Sequence, residues 1–192
     1  MKKTLVIHPA DPSTDFLKII YKDRGFTEIT ESFDSENLKQ LMKEHERIVM
    51  LGHGYHHGLL HYMQTVIDAS FVPILREKEL VGIWCFAKSF FDHHGLSGFH
   101  TDMFISEPIE ASVMGVLASD ESIELSNATF AKLLRNNLFH PNCLQRVKRS
   151  YLKLNSEVST YNGLRFFQRS SGDPTTECQI PSLGDLLKQF KI

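Results

Sequence analysis

Short apolar runs alternate with amphipathic stretches along the first half of the chain. Thr4 to Ile7 is a compact β-branched run closed by His8-Pro9, which predicts a first strand. Asp11-Pro12-Ser13-Thr14-Asp15 offers an N-cap to a helix carrying Phe16, Leu17, Ile20 and Tyr21, and Arg24-Gly25 ends it. Phe26 to Thr30 reads as a weaker second strand. Asp34-Ser35-Glu36 opens an amphipathic helix with Leu38, Leu41 and Met42 on one face, and Arg47 to Leu51 is a third strand. This alternation is the pattern of βαβ units, hence of a mostly parallel sheet with right-handed crossovers.

After His53-Gly54 comes the loop Tyr55-His56-His57-Gly58, then Leu59 to Met63 as a short strand or hairpin. Phe71 to Lys78 reads as a short helix with Phe71, Ile74 and Leu75 inward. Leu80 to Trp84 is apolar throughout with charged flanks, the pattern of a central strand covered on both faces. A helix follows through Lys88 to His93, ended by Gly95. Gly98 to Ile105 contains a fifth strand, and Glu107 to Val116 a further helix. From Ser119 the texture changes to a long amphipathic segment with Ile123, Leu125, Phe130, Leu133 and Leu134, broken at Pro141. A basic helix then runs through Arg146, Lys148, Arg149 and Lys153. Beyond Asn155 the chain is polar and Gly/Ser-rich, with Phe166-Phe167 as an anchor and a small amphipathic helix at Pro181 to Phe190. The expectation is an α/β fold, a three-layer α/β/α sandwich over residues 1–116, with a helical C-terminal extension over residues 117–192 packed on it.

Composition narrows the partners. A chain of 192 residues with 42% hydrophobic and 23% charged residues suits one soluble α/β domain. Its formal charge of −2 gives no reason to expect nucleic acid or an anionic membrane. Cys85, Cys143 and Cys178 form no CxxC pair, which argues against a disulfide framework and for a reducing compartment. Met1-Lys2-Lys3 is followed by only Leu5-Val6-Ile7 before His8-Pro9, too little for a secretory h-region, and no run approaches a transmembrane length. A cytoplasmic location is expected. No cofactor is implied, since no phosphate-cradling glycine loop is present, and nothing in the pattern specifies an oligomeric state.

The candidate chemistry sits where two apolar runs stop: Arg47 to Leu51 runs into Gly52-His53-Gly54, and Leu80 to Trp84 runs into Cys85. Reactive groups gather at the carboxyl ends of parallel strands, and neighbouring strands lie about 4.8 Å apart. His53 is thus placed to act as a base toward a Cys85 nucleophile. A helix starting after Cys85 adds a positive dipole end. The N–H groups of Gly54 and Cys85 are candidate oxyanion donors, Gly54 having no Cβ to obstruct a substrate. The competing reading is an inert core cysteine and a plain Gly-His-Gly turn.

A hydrophobic block ending in His-Gly, followed by a block ending in Cys, resembles the signature of the caspase-like cysteine peptidases over about residues 3 to 116. The resemblance implies peptide-bond hydrolysis through a Cys-His dyad, with Cys85 as nucleophile, His53 as general acid/base and Gly54 in the oxyanion hole. It implies a peptide or protein substrate, read by a pocket near Trp84, Thr101, Asp102 and Ser106, with an acidic wall at Asp102 favouring Arg or Lys. The family usually has a small residue before the Cys, whereas this chain has Trp84. That departure, and the lack of a visible processing site, favour a second reading: a non-catalytic relative that binds a partner. Ten histidines, many clustered, leave a third, a metal-dependent hydrolase using His53, His57 and Asp92 or His93. Glycines around His53 and His57 and the lack of an HExxH pattern put exposed loop histidines ahead of it, so no metal ligand is assigned.

Overall fold

Parity within the strands decides the architecture. Leu5, Ile7, Ile48, Met50 and Leu80 face one side, while Val6, Val49, Leu51, Val81 and Ile83 face the other, and both sets are buried. Strands apolar on both faces need a layer of helices on each side. The computed structural model describes residues 2–175, so Cys178 and the helix expected at Pro181 to Phe190 lie outside the described residues.

The strands are β1 (Thr4–Ile7), β2 (Thr27–Ile29), β3 (Arg47–Leu51), β4 (Gly54–Tyr55), β5 (Gly58–His61), β6 (Gln64–Ile67), β7 (Glu79–Ile83), β8 (Gly98–Thr101) and β9 (Phe166–Arg169). Six of them form one sheet in the order β2-β1-β3-β7-β8-β9, parallel except for β9. β4, β5 and β6 make a separate antiparallel sheet where the sequence suggested one strand or hairpin.

One face of the main sheet is covered by α1 (Ser35–Glu44), α2 (Val72–Leu75), α3 (Ala87–His94) and the small sheet. The other is covered by α5 (Asp120–Asn137), α6 (Cys143–Tyr151) and the segment Pro12–Ile20. α4 (Pro108–Val113) and α7 (Glu157–Gly163) enclose a smaller cluster of Ile105, Ala111, Ile123 and Val158. The arrangement is a mixed α/β fold in three layers, as expected.

Three local differences from the expectation have physical causes. Pro12–Ile20 is a 3-10 helix, and its buried residues Thr14, Leu17 and Ile20 recur every third position, the period at which 3-10 side chains eclipse. Asp11 caps it by accepting from the Ser13 N–H. In the polar stretch beyond Asn155, Ser156 and Ser159 form a reciprocal capping box that starts α7. Phe166 and its neighbours are then a strand, so the segment after residue 117 is not wholly helical: β9 pairs antiparallel with β8.

The return of β9 is secured by Asn162. Its Oδ1 accepts from the Ile105 N–H at 2.8 Å, and its Nδ2 donates to the Ile105 carbonyl at 2.9 Å and the Tyr151 hydroxyl at 3.2 Å. All three residues are buried. Removing the amide orphans two backbone groups at once, each costing about 1–3 kcal/mol. Asn162→Ala therefore destabilises the fold by about 2–6 kcal/mol in urea unfolding, and Tyr151→Phe, which removes one hydroxyl, by about 1 kcal/mol. Equal losses would refute the clamp.

Two histidines are sealed in the core. His8 is held between the Tyr21 hydroxyl (2.9 Å) and the Thr14 hydroxyl (3.0 Å). His100 lies between the rings of Phe91 and Phe167, with Nδ1 donating to the Gly98 carbonyl at 3.1 Å. Burial pushes each imidazole down to about 4. Between that value and about 6.5 the unfolded chain binds more protons than the native one, so stability rises with pH across the window. On acidification each histidine accounts for a loss of up to roughly 3 kcal/mol. His100→Phe keeps the ring stack and removes one such group. Its urea midpoint should fall less than the wild type's between pH 7 and pH 4.5, and parallel falls would exclude the assignment.

Candidate functional site

Winding reverses between β1 and β3, and in such sheets the crevice outside the carboxyl ends of those strands is where ligands sit. β1 leads into His8 and then the Asp11 turn, and β3 leads into Gly52 and His53. The Ser13 hydroxyl lies 2.6 Å from Asp11 Oδ1 and 2.6 Å from His53 Nε2. A carboxylate only accepts, so Ser13 donates to Asp11 and accepts from His53 Nε2–H. This fixes the tautomer and leaves Nδ1 as the acceptor nitrogen of the half-buried imidazole. Hydrogen bonds from Ser13, with desolvation opposing them and the nearby His53 reinforcing them, hold the Asp11 carboxyl below the usual range. The sequence presented Asp11 and Ser13 only as a helix cap. Their second role depends on β3 lying beside β1, which no local pattern encodes.

β3 and β7 are parallel neighbours, with Leu51 opposite Ile83 and the Gly52 N–H donating to the Ile83 carbonyl at 3.0 Å. His53 and Cys85 therefore reach one edge and line one cavity with Thr14, Leu17, Phe104, Ser106 and Glu110. That cavity has a volume of about 20 Å³, room for about one water and not for a peptide. The Cys85 S–H points at the Phe104 carbonyl 4.0 Å away, and desolvation raises the thiol to about 12. His53 spends its Nε2–H on Ser13. A thiolate at neutral pH, the species a nucleophilic dyad requires, is not supported in this setting.

The remaining expected site residues have other duties. A Cβ on Gly54 would lie 2.2 Å from Trp84 Cδ1, so its missing side chain makes room for the indole and not for a substrate in an oxyanion hole. Trp84 is buried and donates from Nε1 to the Tyr55 carbonyl at 3.2 Å. It is a core residue that meets the small cavity and offers no room for a substrate side chain. Thr101 is buried with its hydroxyl on the Trp84 carbonyl at 3.1 Å. The Asp102 N–H donates to the Arg165 carbonyl at 3.0 Å. Ser106 donates from its N–H and its hydroxyl to Glu110 Oε2, at 2.6 and 3.0 Å. Of these only Ser106 and Trp84 touch the small cavity.

The metal set weighed from the sequence is not assembled either. His53 faces Ser13, while His57 lines a different groove with His56, His93 and His94. Asp92 is engaged by Lys88 and lies 3.8 Å from Arg169 Nε. Phe86 marks the sharp turn out of β7: it is a bulky residue at φ 66°, a conformation that sequence alone does not announce. Among the described residues no helix is long and apolar enough to cross a membrane.

No family model matches the chain, and no curated protein matches it. Among solved structures, an NADPH-quinone reductase from P. pentosaceus is similar at 16% identity and a TM-score of 0.31, over 84% of this chain and 98% of that one. A likeness of that degree carries no conclusion about the activity of this chain. The expectation of thiol-dependent peptide hydrolysis is corrected by the setting of Cys85 itself, whose desolvated thiol is pushed up to about 12 in a cavity too small for a peptide.

Proposed function

We propose that the chain is a binding domain: a non-catalytic relative of the caspase-like peptidases that engages a peptide or protein segment at the surface beside the part-exposed His53, outside the small cavity His53 shares with Cys85. The kinship is supported by the ordered blocks ending in His53 and Cys85 on adjacent parallel strands. The observation that carries the non-catalytic reading is the state of Cys85, desolvated, raised to about 12 and facing a cavity of about 20 Å³. His53 supports the binding role. Its Nε2 is tied to the Ser13–Asp11 pair, so Nδ1 is presented in a fixed orientation to accept one N–H from a partner backbone.

Two measurements test this. Iodoacetamide alkylation of Cys85, followed by peptide mass mapping against pH, should be slow in the native protein, with no inflection below the free-thiol value of about 8.5. Denaturant should release it. A library of fluorogenic peptides varied before the scissile bond should give the same background with wild type and Cys85→Ala. Fast alkylation with an inflection near neutrality, or turnover that Cys85→Ala abolishes, would overturn the proposal.

A further inference from the structure

α7 turns one stripe of side chains outward. Glu157, Thr160, Tyr161, Leu164 and Arg165 recur at the three- and four-residue spacing of a single helix face. The Leu164 N–H donates to the Thr160 carbonyl at 3.2 Å and the Arg165 N–H to the Asn162 carbonyl at 2.8 Å, so the helical path runs on past Gly163 in a tightened turn. The opposite face is spent on Val158, Ser159 and Asn162, which are buried. With Val116, Asn155 and Ser156 the outward stripe lines a groove of about 520 Å³. It shares no residue with the cavity of His53 and Cys85.

The middle of the stripe is apolar. Leu164 is 59% exposed, and Leu117, whose N–H donates to Glu157 Oε2 at 3.0 Å, is 81% exposed. One exposed leucine needs no explanation. Two beside the same concave surface as Val116 and Tyr161, within a rim of polar residues, make a patch of the kind that marks an interaction surface. The core beneath is thin, with Ile105, Ala111, Ile123 and Val158 as its buried members.

The charges at the two ends of the stripe are opposite in sign and equidistant from its centre. Glu157 stands four residues before Tyr161 and Arg165 four residues after it, a separation of about 12 Å along a helix. Each is held in place locally. Glu157 accepts from the Leu117 N–H, while the Arg165 guanidinium lies 3.5 Å over the Tyr161 ring with Nη1 donating to the Tyr161 carbonyl at 3.0 Å. Neither forms an ion pair among the described residues. A face of this design is its own complement. A two-fold axis at Tyr161 lays a second α7 antiparallel on the first and brings Glu157 opposite the partner's Arg165, twice over. A parallel pairing would instead set glutamate against glutamate and arginine against arginine.

We propose that the chain forms a homodimer through the α7 groove, antiparallel about Tyr161, with two Glu157–Arg165 pairs closing the rim. Tyr161, Leu164, Leu117 and Val116 supply the affinity. The ion pairs set the register, since exposed pairs contribute little energy of their own. One short helix and one loop from each copy make a small contact, of the weak, concentration-dependent class. The dimer does not depend on the role of His53.

The test is sedimentation equilibrium of the full chain over a concentration series. The weight-average mass should rise with concentration from the monomer's 22.0 kDa toward twice that value. Glu157→Lys and Arg165→Glu should each weaken association about 10-fold or more, because each sets like charges against each other at both ends. An equimolar mixture of the two variants should dimerise like the wild type, since every facing pair is then of opposite sign. Damage to the fold of one chain could not be repaired by mixing. Leu164→Asp should weaken association about 10-fold or more by placing a carboxylate in the apolar centre, and if a charge variant proves unfolded by circular dichroism this exposed position decides. A wild type that stays monomeric at millimolar concentration overturns the dimer, as does a dimer indifferent to Leu164→Asp. Failure of the mixture to restore association overturns the antiparallel register.

Discussion

The indole of Trp84 occupies space left by two glycines, and much of the molecule is arranged around that fit. A Cβ on Gly54 would stand 2.2 Å from Trp84 Cδ1, and one on Gly82 would stand 2.8 Å from Cζ3 and 2.5 Å from Phe91 Cε2. A glycine inside a strand costs about 0.5–1 kcal/mol relative to alanine, yet here it admits an aromatic side chain whose burial contributes more. The ring reaches the small sheet through the Tyr55 carbonyl and packs edge-on and tilted against Phe90 and Phe91 of α3. Its own carbonyl takes the Thr101 hydroxyl and the Ala87 N–H. One residue, through its ring and its carbonyl, thus joins both sheets, the first turn of α3 and the end of β8. It also covers Gly54 on the way to Cys85, and it sets the hairpin turn of His56 and His57 against the end of α3.

What could be read from the chain and what could not divide along the range of the forces involved. The apolar runs of β1, β3 and β7, though not which of them pair, follow from local periodicity, and the hand of their connections follows from the right-handed crossover rule. The fate of a residue just beyond a strand does not. Cys85 sits one residue before the left-handed Phe86, and a bulky residue in that conformation is fixed by its surroundings and not by its own preference. Periods of 3.0 and 3.6 differ by about one residue over two turns, so Thr14, Leu17 and Ile20 could not be separated from an α-helical stripe in so short a segment. α7 buries only Val158 among its larger apolar residues, leaving its capping serines as the sole local signal. Thr101 and Ser106 were legible as polar residues near a strand end, but their partners, the Trp84 carbonyl and Glu110, are chosen by tertiary packing.

The histidines show the same division at the level of chemistry. One residue type meets three environments: sealed and neutral at His8 and His100, oriented by a hydroxyl at His53, and clustered at the two turns. Composition announces an abundance of imidazole. Only the fold assigns each ring a protonation state and a neighbour.

The position of β9 has a consequence for how the protein is made. β8 is complete once Thr101 has been synthesised, yet its second edge stays unpaired until Phe166 to Arg169 arrive. At about 5–20 residues per second the ribosome leaves that edge open for several seconds. An open strand edge beside a hydrophobic interior is a template for pairing with other nascent chains. The hazard for this protein therefore falls during translation: a ribosome that stalls within α5 or α6 releases a polypeptide with most of its sheet formed and one side of it adhesive.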